Sequence, residues 1–125
     1  MRNTLIDTDI LINFLRGREK ARVYLSSLLN EATVYCSVIT VAELFAGMQE
    51  HEREATAGLI DSFNIINVTR EIAEKAGRYK SAHKSHSLEL DDCLIAASAF
   101  VKNAVLATGN EKHYPMKDIQ KVVIK

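Results

Sequence analysis

Three carboxylates in this chain have the residue type and spacing to do chemistry, because each lies where an apolar run gives way to a helix-like pattern. They are Asp7, Glu43 and Asp92. If the apolar runs are parallel strands, their carboxyl ends share one edge of a sheet, and the three acids converge there. Such anions repel one another unless a cation lies between them, and side-chain oxygens suit Mg²⁺ or Mn²⁺. The spacing therefore predicts a divalent-metal site.

A metal site of this kind has a definite chemistry. A hard divalent ion held by few carboxylates keeps water in its remaining positions. The ion can acidify one of these waters as a nucleophile and stabilise the negative charge that develops on a phosphodiester. The sequence contains no Walker lysine loop, no Gly-x-Ser-x-Gly segment and no Gly-x-Gly-x-x-Gly turn that would indicate other machinery. Metal-assisted hydrolysis is therefore the reaction that these residues favour.

Each of the three acids also has a purely structural interpretation. Acids are common at helix starts, where Asp7 and Asp92 lie in the predicted pattern. Thr40 and Glu43 match a capping box, in which the glutamate needs no metal. The helices that follow are strongly apolar, so their first turns should be buried, and burying three unpaired carboxylates together is costly. The joint arrangement therefore favours a metal site over three separate caps.

The elements that must position these acids alternate between strand and helix. The pattern predicts strands at residues 5–6, 33–38, 65–68, 104–107 and 122–124, the last of them at an edge. Helices are predicted at residues 10–15, 19–29, 40–47, 49–63, 70–83 and 91–103, with residues 85–90 as a loop. Such alternation indicates an α/β fold in which helices cover both faces of a parallel sheet. We expect one domain over residues 1–125.

The composition is that of an ordinary globular protein, with 47% hydrophobic and 26% charged residues. Its 16 basic and 16 acidic residues cancel, so no overall positive field attracts a polyanion. Cys36 and Cys93 lie in apolar segments without a Cys-x-x-Cys motif, which predicts buried thiols in a reducing compartment. No run reaches the roughly 18 apolar residues of a membrane span. We therefore expect a cytoplasmic protein with no membrane partner.

Three ordered segments of the chain resemble the motifs of PIN-domain ribonucleases. They are residues 5–12, 37–44 and 92–99, which read LIDTDILI, SVITVAEL and DCLIAASA. Their order and the length of the chain are similar to VapC-type toxins of prokaryotic toxin–antitoxin pairs. The resemblance implies a PIN-like α/β/α sandwich with a parallel sheet of four to five strands. It also implies an endoribonuclease that depends on Mg²⁺ or Mn²⁺.

The same resemblance implies roles for particular residues. It puts Asp7, Glu43 and Asp92 at the acidic metal-binding positions, and Thr108-Gly109-Asn110 at a fourth motif that usually reads Thr-x-Asp or Thr-x-Asn. Asn110 supplies an amide there, so it can donate an oxygen or orient a water without adding charge. The predicted catalytic set is Asp7, Glu43, Asp92 and Asn110. The implied partners are an RNA substrate, a second copy of the chain in a homodimer, and a cognate antitoxin that blocks the acidic groove with arginine.

Residues near these motifs receive more modest predictions. Asp9 and Asp91 are expected to be surface or cap residues, with support of the metal ligands from behind as the alternative. Thr8 either orients Asp7, binds phosphate through its hydroxyl, or is only the hydroxyl of a helix start. The basic stretches at 16–22 and 78–86 are expected to be solvated, with contact to the RNA backbone as the alternative. The four histidines show no metal-ligand spacing and are expected at the surface: His51, His83, His86 and His113.

Three other functions fit part of the sequence. Asp7-Thr8-Asp9 at a strand end mimics the nucleophile motif of HAD-type phosphatases, although Glu43 has no role there and the threonine or valine expected after the pair is missing. A receiver-like signalling domain fits the length, but residues 65–69 lack the phosphoacceptor aspartate that it requires after the third strand. A non-catalytic, metal-binding PIN module is the third alternative, indicated by Asn110 alone.

Overall fold

A five-stranded sheet organises the computed structural model, which describes residues 2–29 and 31–125. The strands are β1 (Thr4–Ile6), β2 (Val34–Ser37), β3 (Asn64–Ile66), β4 (Val105–Thr108) and β5 (Lys121–Val123). Their spatial order is β3-β2-β1-β4-β5, and every neighbouring pair is parallel. Because β2 and β4 both flank β1, the winding of the chain reverses there. In open parallel sheets, ligand sites form at the carboxyl ends of the strands beside such a reversal.

Helices cover both faces of this sheet. They are α1 (Thr8–Leu15), α2 (Glu19–Leu28), α3 (Val38–Gly47), α4 (Arg53–Asp61), α5 (Arg70–Ala82) and α6 (Leu90–Val101). Short 3-10 turns add Glu50–Glu52, Lys84–His86 and Glu111–His113. None of the helices in the described ranges is long and apolar enough to cross a membrane.

Two buried clusters lie on opposite faces of the sheet, and β1 contributes to both. Successive strand side chains point to opposite faces. Leu5 accordingly packs with Ile72 of α5 and Ile95 of α6, whereas Ile6 packs with Leu44 of α3 and with apolar residues of α1, α2 and α4. Leu5 and Ile6 are both fully buried. The predicted α/β/α sandwich with a parallel sheet is confirmed, with five strands and β5 at an edge.

The start of α3 differs from the prediction. A capping box of Thr40 and Glu43 was expected to begin this helix, but α3 begins at Val38. Its N-cap is Ser37, whose hydroxyl accepts a hydrogen bond from the backbone N–H of Ile39 at 3.0 Å. Thr40 is therefore inside the helix and fully buried. The capping-box interpretation of Glu43 is wrong, so this carboxylate has no role in starting the helix.

Two other predicted boundaries also move. The single helix expected over residues 49–63 is a 3-10 turn followed by the shorter α4. The turn has its own capping box, in which the Gln49 backbone N–H donates to Glu52 Oε1 at 2.7 Å. The loop expected at residues 85–90 contains part of a 3-10 turn, and α6 begins at Leu90. The sequence pattern therefore predicted helical structure within residues 49–63 correctly, but it did not predict where the helices begin and end.

Candidate functional site

Asp7 is the central acid at the carboxyl edge of the sheet. It follows β1 and is the N-cap of α1, where its Oδ1 accepts from the backbone N–H of Thr8 at 2.8 Å. Its Oδ2 accepts from the Thr108 hydroxyl at 2.7 Å, and the residue is only 5% exposed. In the described part of the chain, no lysine or arginine forms an ion pair with this carboxylate. Asp7 is therefore a buried carboxyl group held by hydrogen bonds at the start of a helix.

The pairing of β1 with β4 brings the fourth motif to Asp7. Ile6 is in register with Ala107, and the Asp7 backbone N–H donates to the Ala107 carbonyl at 2.9 Å. Thr108 comes next in β4 and is fully buried. Its hydroxyl oxygen donates to Asp7 and accepts from the backbone N–H of Asn110 at 3.0 Å. The predicted site residues 7 and 110 are thus connected through one hydroxyl, with Asn110 itself exposed.

Glu43 projects from α3 toward the first turn of α1. The Thr8 hydroxyl donates to Glu43 Oε1 at 2.6 Å and lies 2.9 Å from the Thr40 hydroxyl. Thr8 is at the start of α1, as its structural interpretation predicted, but its hydroxyl positions Glu43 and not Asp7. Burial raises the pKa of Glu43, the Thr8 bond opposes this, and nearby Asp91 and Asp7 raise it further. Glu43 therefore lies close enough to Asp7 for the charge of one carboxylate to affect the other.

Asp92 lies in the first turn of α6, with its side chain 17% exposed. Its Oδ1 is 3.4 Å from the Tyr114 hydroxyl, and its Oδ2 is 3.4 Å from His113 Nδ1. Burial raises the pKa of Asp92, the nearby His113 opposes this, and repulsion by Asp7 and Asp91 adds to it. The three predicted acids therefore lie close enough together at one sheet edge to influence one another.

His113 and Tyr114 are site residues that sequence reasoning missed. His113 is at the surface, as predicted, but its ring contacts Asp92 on one side and lies 3.1 Å from the Asn110 amide nitrogen on the other. Tyr114 is fully buried, and burial and the two neighbouring aspartates Asp7 and Asp92 raise its pKa. No spacing rule connects positions 113 and 114 with position 92, so only their place just after the fourth motif could have indicated them.

Asp9 lies in the first turn of α1, as a cap residue would, but it is only partly exposed and its side chain also reaches the fourth motif. Its Oδ2 accepts from the backbone N–H of Gly109 at 3.0 Å. Its Oδ1 is buried and lacks a hydrogen-bond partner, the only such side-chain oxygen or nitrogen among residues 2–29 and 31–125. Burial and repulsion by Asp7 raise the pKa of Asp9 to about 6. Asp91, by contrast, is exposed as predicted. Asp9 is thus a further acid of the site and packs against the fourth motif.

The donor set suits a hard divalent ion in its chemistry. It consists of carboxylate oxygens that repel one another, and it includes one buried oxygen without a partner. Within the described residues, however, no three histidine, cysteine, aspartate or glutamate side chains are grouped closely enough to hold one ion together. Mg²⁺ commonly binds through one or two carboxylates and keeps several waters until substrate phosphate arrives. The residues present fit such an open site.

Comparison with known proteins places this geometry in a family. The PIN domain family profile matches residues 4–119. The chain is 40% identical to Ribonuclease VapC10 of Mycobacterium tuberculosis over 116 residues, which cover 90% of this chain and 86% of the relative. It is 31% identical to Ribonuclease VapC1 of Methanocaldococcus jannaschii over 113 residues, which cover 88% and 77% of the two chains.

Solved structures agree with the sequence relatives. A toxin–antitoxin complex from Klebsiella pneumoniae contains a chain that is 29% identical, with a TM-score of 0.80 over 94% of this chain and 95% of that one. The VapBC-1 structure from nontypeable Haemophilus influenzae gives 28% identity and a TM-score of 0.80 over 96% of both chains. The family profile spans all six described helices and four of the five strands, with β5 just beyond it, and the chain belongs to the PIN domain family.

Proposed function

We propose that this chain is an endoribonuclease that depends on Mg²⁺ or Mn²⁺ and hydrolyses RNA phosphodiester bonds. The observation that carries the proposal is the buried carboxylate of Asp7, which has Glu43 and Asp92 as neighbours and no basic partner among the described residues. Several anions held this way favour binding of a cation. The relatives named ribonucleases support RNA as the substrate.

The residues of the site have separate tasks in this proposal. Asp7, Glu43 and Asp92 face the ion, one or two of them through oxygens bound to it directly and the rest through its waters, and Thr108 and Thr8 hold two of these acids through their hydroxyls. When bound, the ion supplies an acidified water and offsets charge on the phosphate. Asn110 is exposed at the same edge, where its amide can orient the attacking water or a phosphate oxygen.

We further propose that the enzyme is the toxin of a type II toxin–antitoxin pair and acts in the cytoplasm. Solved structures of similar fold are toxin–antitoxin complexes, which supports an antitoxin partner for this chain. A groove of about 160 Å³ runs from Glu43 between α1 and α3, lined by apolar side chains that include Ile12, Leu15 and Leu44 and by polar ones that include Arg16 and Glu52. An antitoxin segment that fills this groove with apolar side chains can direct an arginine at the acids.

A homodimer is the expected assembly. Several large apolar side chains are exposed on the single chain, and pairing of two copies through them would remove this apolar area from water. The largest exposed fractions are those of Leu29, Val23, Leu90 and Phe100, at 69%, 59%, 50% and 44%. Sedimentation velocity of the purified protein tests the assembly, because a monomer at micromolar concentration would contradict it.

The phosphatase alternative is less compatible with the geometry of Asp9. In that mechanism the second aspartate of the Asp-x-Asp motif must reach the substrate and transfer a proton. Here one oxygen of Asp9 accepts from the Gly109 backbone and the other is buried. Glu43 also contacts the site, although a phosphatase of that type would give it no role.

The direct test is RNA cleavage by the purified protein with Mg²⁺, with Mn²⁺ and with EDTA. We expect cleavage only with metal, no turnover of p-nitrophenyl phosphate, and no cleavage by Asp7→Asn. Asp61→Asn, at an exposed acid near the end of α4, is the matched control and should cut normally. Hydrolysis of the phosphomonoester would favour the phosphatase, and absence of cleavage with intact metal binding would favour the non-catalytic module.

A further inference from the structure

We propose that Tyr114 is a positioning residue of the metal site, whose buried hydroxyl holds Asp92 beside Asp7. This inference rests on the proposed function, because it concerns the same carboxylates. Tyr114 follows the 3-10 turn Glu111–His113 directly after the fourth motif. It touches no solvent, so it would act through Asp92 and not on RNA.

The ring and the hydroxyl of Tyr114 lie in different environments. The ring belongs to the buried cluster that also contains Ile95, Leu106 and Met116. The hydroxyl faces the acids, 3.4 Å from Asp92 Oδ1 and close enough to Asp7 for that carboxylate to raise the pKa of the phenol. A phenylalanine would fill the apolar part of this space equally well, and a buried hydroxyl is costly unless it is paired. The oxygen therefore contributes to the acid cluster and not to the core.

A phenol is the right donor for this position. Its ordinary pKa is near 10, so at neutral pH it donates a proton to a carboxylate and adds no charge. The 3.4 Å distance is longer than an ordinary O–H···O bond, so the contact contributes little to folding stability. Its value is orientation, since a ring locked in the core keeps the donor in one place. Asp92 is thereby held while it faces repulsion from Asp7 and Asp91.

The two oxygens of Asp92 have different neighbours. Oδ1 is next to Tyr114, which is fully buried and cannot move away. Oδ2 is next to His113, whose side chain is 53% exposed and has room to turn into solvent. We therefore assign Oδ1 to the positioning contact and Oδ2 to the ion. Loss of the tyrosine hydroxyl should leave Asp92 present but less well oriented.

Tyr114→Phe tests the inference by removing one oxygen atom. Calorimetric titration with Mn²⁺ should show an affinity about tenfold lower than that of the unchanged protein, the lower end of the range for partners of metal ligands. The electron paramagnetic resonance spectrum of bound Mn²⁺ should change, and RNA cleavage should fall in parallel. The melting temperature in EDTA should stay close to that of the unchanged protein.

Tyr79→Phe is the matched control. Tyr79 is 5% exposed, and its hydroxyl donates to Asp118 Oδ1 at 2.7 Å, away from the site. This variant should lose stability and keep its Mn²⁺ affinity and cleavage. Equal Mn²⁺ affinity in Tyr114→Phe and the unchanged protein would overturn the inference, as would an equal loss of affinity in both variants.

A second measurement covers the case in which Tyr114→Phe does not fold. Replacing Tyr24, Tyr35 and Tyr79 by phenylalanine leaves Tyr114 as the only tyrosine. Its near-ultraviolet absorbance should change as Mn²⁺ is added, and an unchanged spectrum during saturable Mn²⁺ binding would reject the inference. If the unchanged protein neither binds Mn²⁺ nor cuts RNA, the proposed function itself fails, which is a different result from a neutral Tyr114→Phe.

Discussion

Thr108 donates its hydroxyl hydrogen to the buried carboxylate of Asp7 at 2.7 Å, across 101 positions of sequence. The contact exists because β1 and β4 are adjacent and parallel, with Ile6 in register with Ala107. The residues that follow this pair, Asp7 directly after β1 and Thr108 at the end of β4, therefore lie side by side. This pair links the first and the fourth motif of the site.

Thr108→Val should remove that bond while keeping the shape of the side chain. Hydrogen bonds to charged groups are worth about 1.5–3 kcal/mol, so we expect a loss of unfolding free energy near the lower value, since Asp7 keeps its bond to the Thr8 backbone. Metal affinity and cleavage should fall by about 10–100-fold. Urea unfolding and a cleavage assay measure the two effects. Thr108→Ser retains the hydroxyl, and an equal loss in that variant would contradict this explanation.

Asp7→Asn and Asp92→Asn should abolish cleavage with little loss of fold. Each change removes one of several repelling charges, which offsets the loss of a helix-start acid. The cost in activity should exceed the 10–100-fold typical of residues that only support a metal ligand. Cleavage rates and melting temperatures in EDTA separate the two effects. A collapse of melting temperature in both variants would indicate that these acids serve as caps.

Glu43→Gln separates the ligand role from a structural one. Ser37 already caps α3, and glutamine still accepts a hydrogen bond from Thr8, so the unfolding free energy should change by no more than about 0.5 kcal/mol. Mn²⁺ affinity and cleavage should both fall because a charged ligand is lost. Calorimetric titration and a cleavage assay provide the measurements. Full activity in this variant would count against Glu43 as a ligand.

Gly109→Ala should damage the site by steric contact. An added Cβ would lie 2.7 Å from Asp9 Oδ2 and 3.1 Å from the Ile124 carbonyl oxygen. Overpacking of this kind costs about 1–3 kcal/mol and must move Asp9 or the Gly109 backbone. Thermal unfolding and cleavage should both decline. Gly58→Ala in α4, where a Cβ meets open space, is the control and should stabilise by about 0.5–1 kcal/mol.

Asp118 predicts a pH dependence that is separate from the site. Partial burial would raise its pKa, but hydrogen bonds from Lys75 and Tyr79 outweigh this and lower it below the usual 3.8. A carboxyl whose folded pKa is depressed adds stability above its unfolded pKa, and this stability is lost as pH falls through the folded value. The melting temperature of Asp118→Asn should therefore lie below that of the unchanged protein at pH 6, by a margin that shrinks below pH 4. A constant margin would exclude this linkage.

Local pattern in the sequence was sufficient for the order of strands and helices and for the three acids at their junctions. Leu5 and Ile6 are fully buried, and Asp7 caps α1, because apolar runs and helix starts are set by neighbours within a few residues. The same local reasoning was wrong at the start of α3, where two residues could serve as the N-cap. Thr40 matched a capping box, but Ser37 begins the helix earlier.

Tertiary structure alone decided which groups meet at the sheet edge. The sequence predicted that Asp9 is a surface or cap acid. The pairing of β1 with β4 instead brings the Gly109 backbone N–H to its carboxylate. Only its place just after the fourth motif could have indicated Tyr114, since its contact with Asp92 spans 22 residues that belong to a helix, a strand and a turn. Sequence periodicity reports the burial of each residue along its own element. Strand register and helix packing determine which elements lie side by side. They therefore determine which carboxylates lie close enough to repel one another.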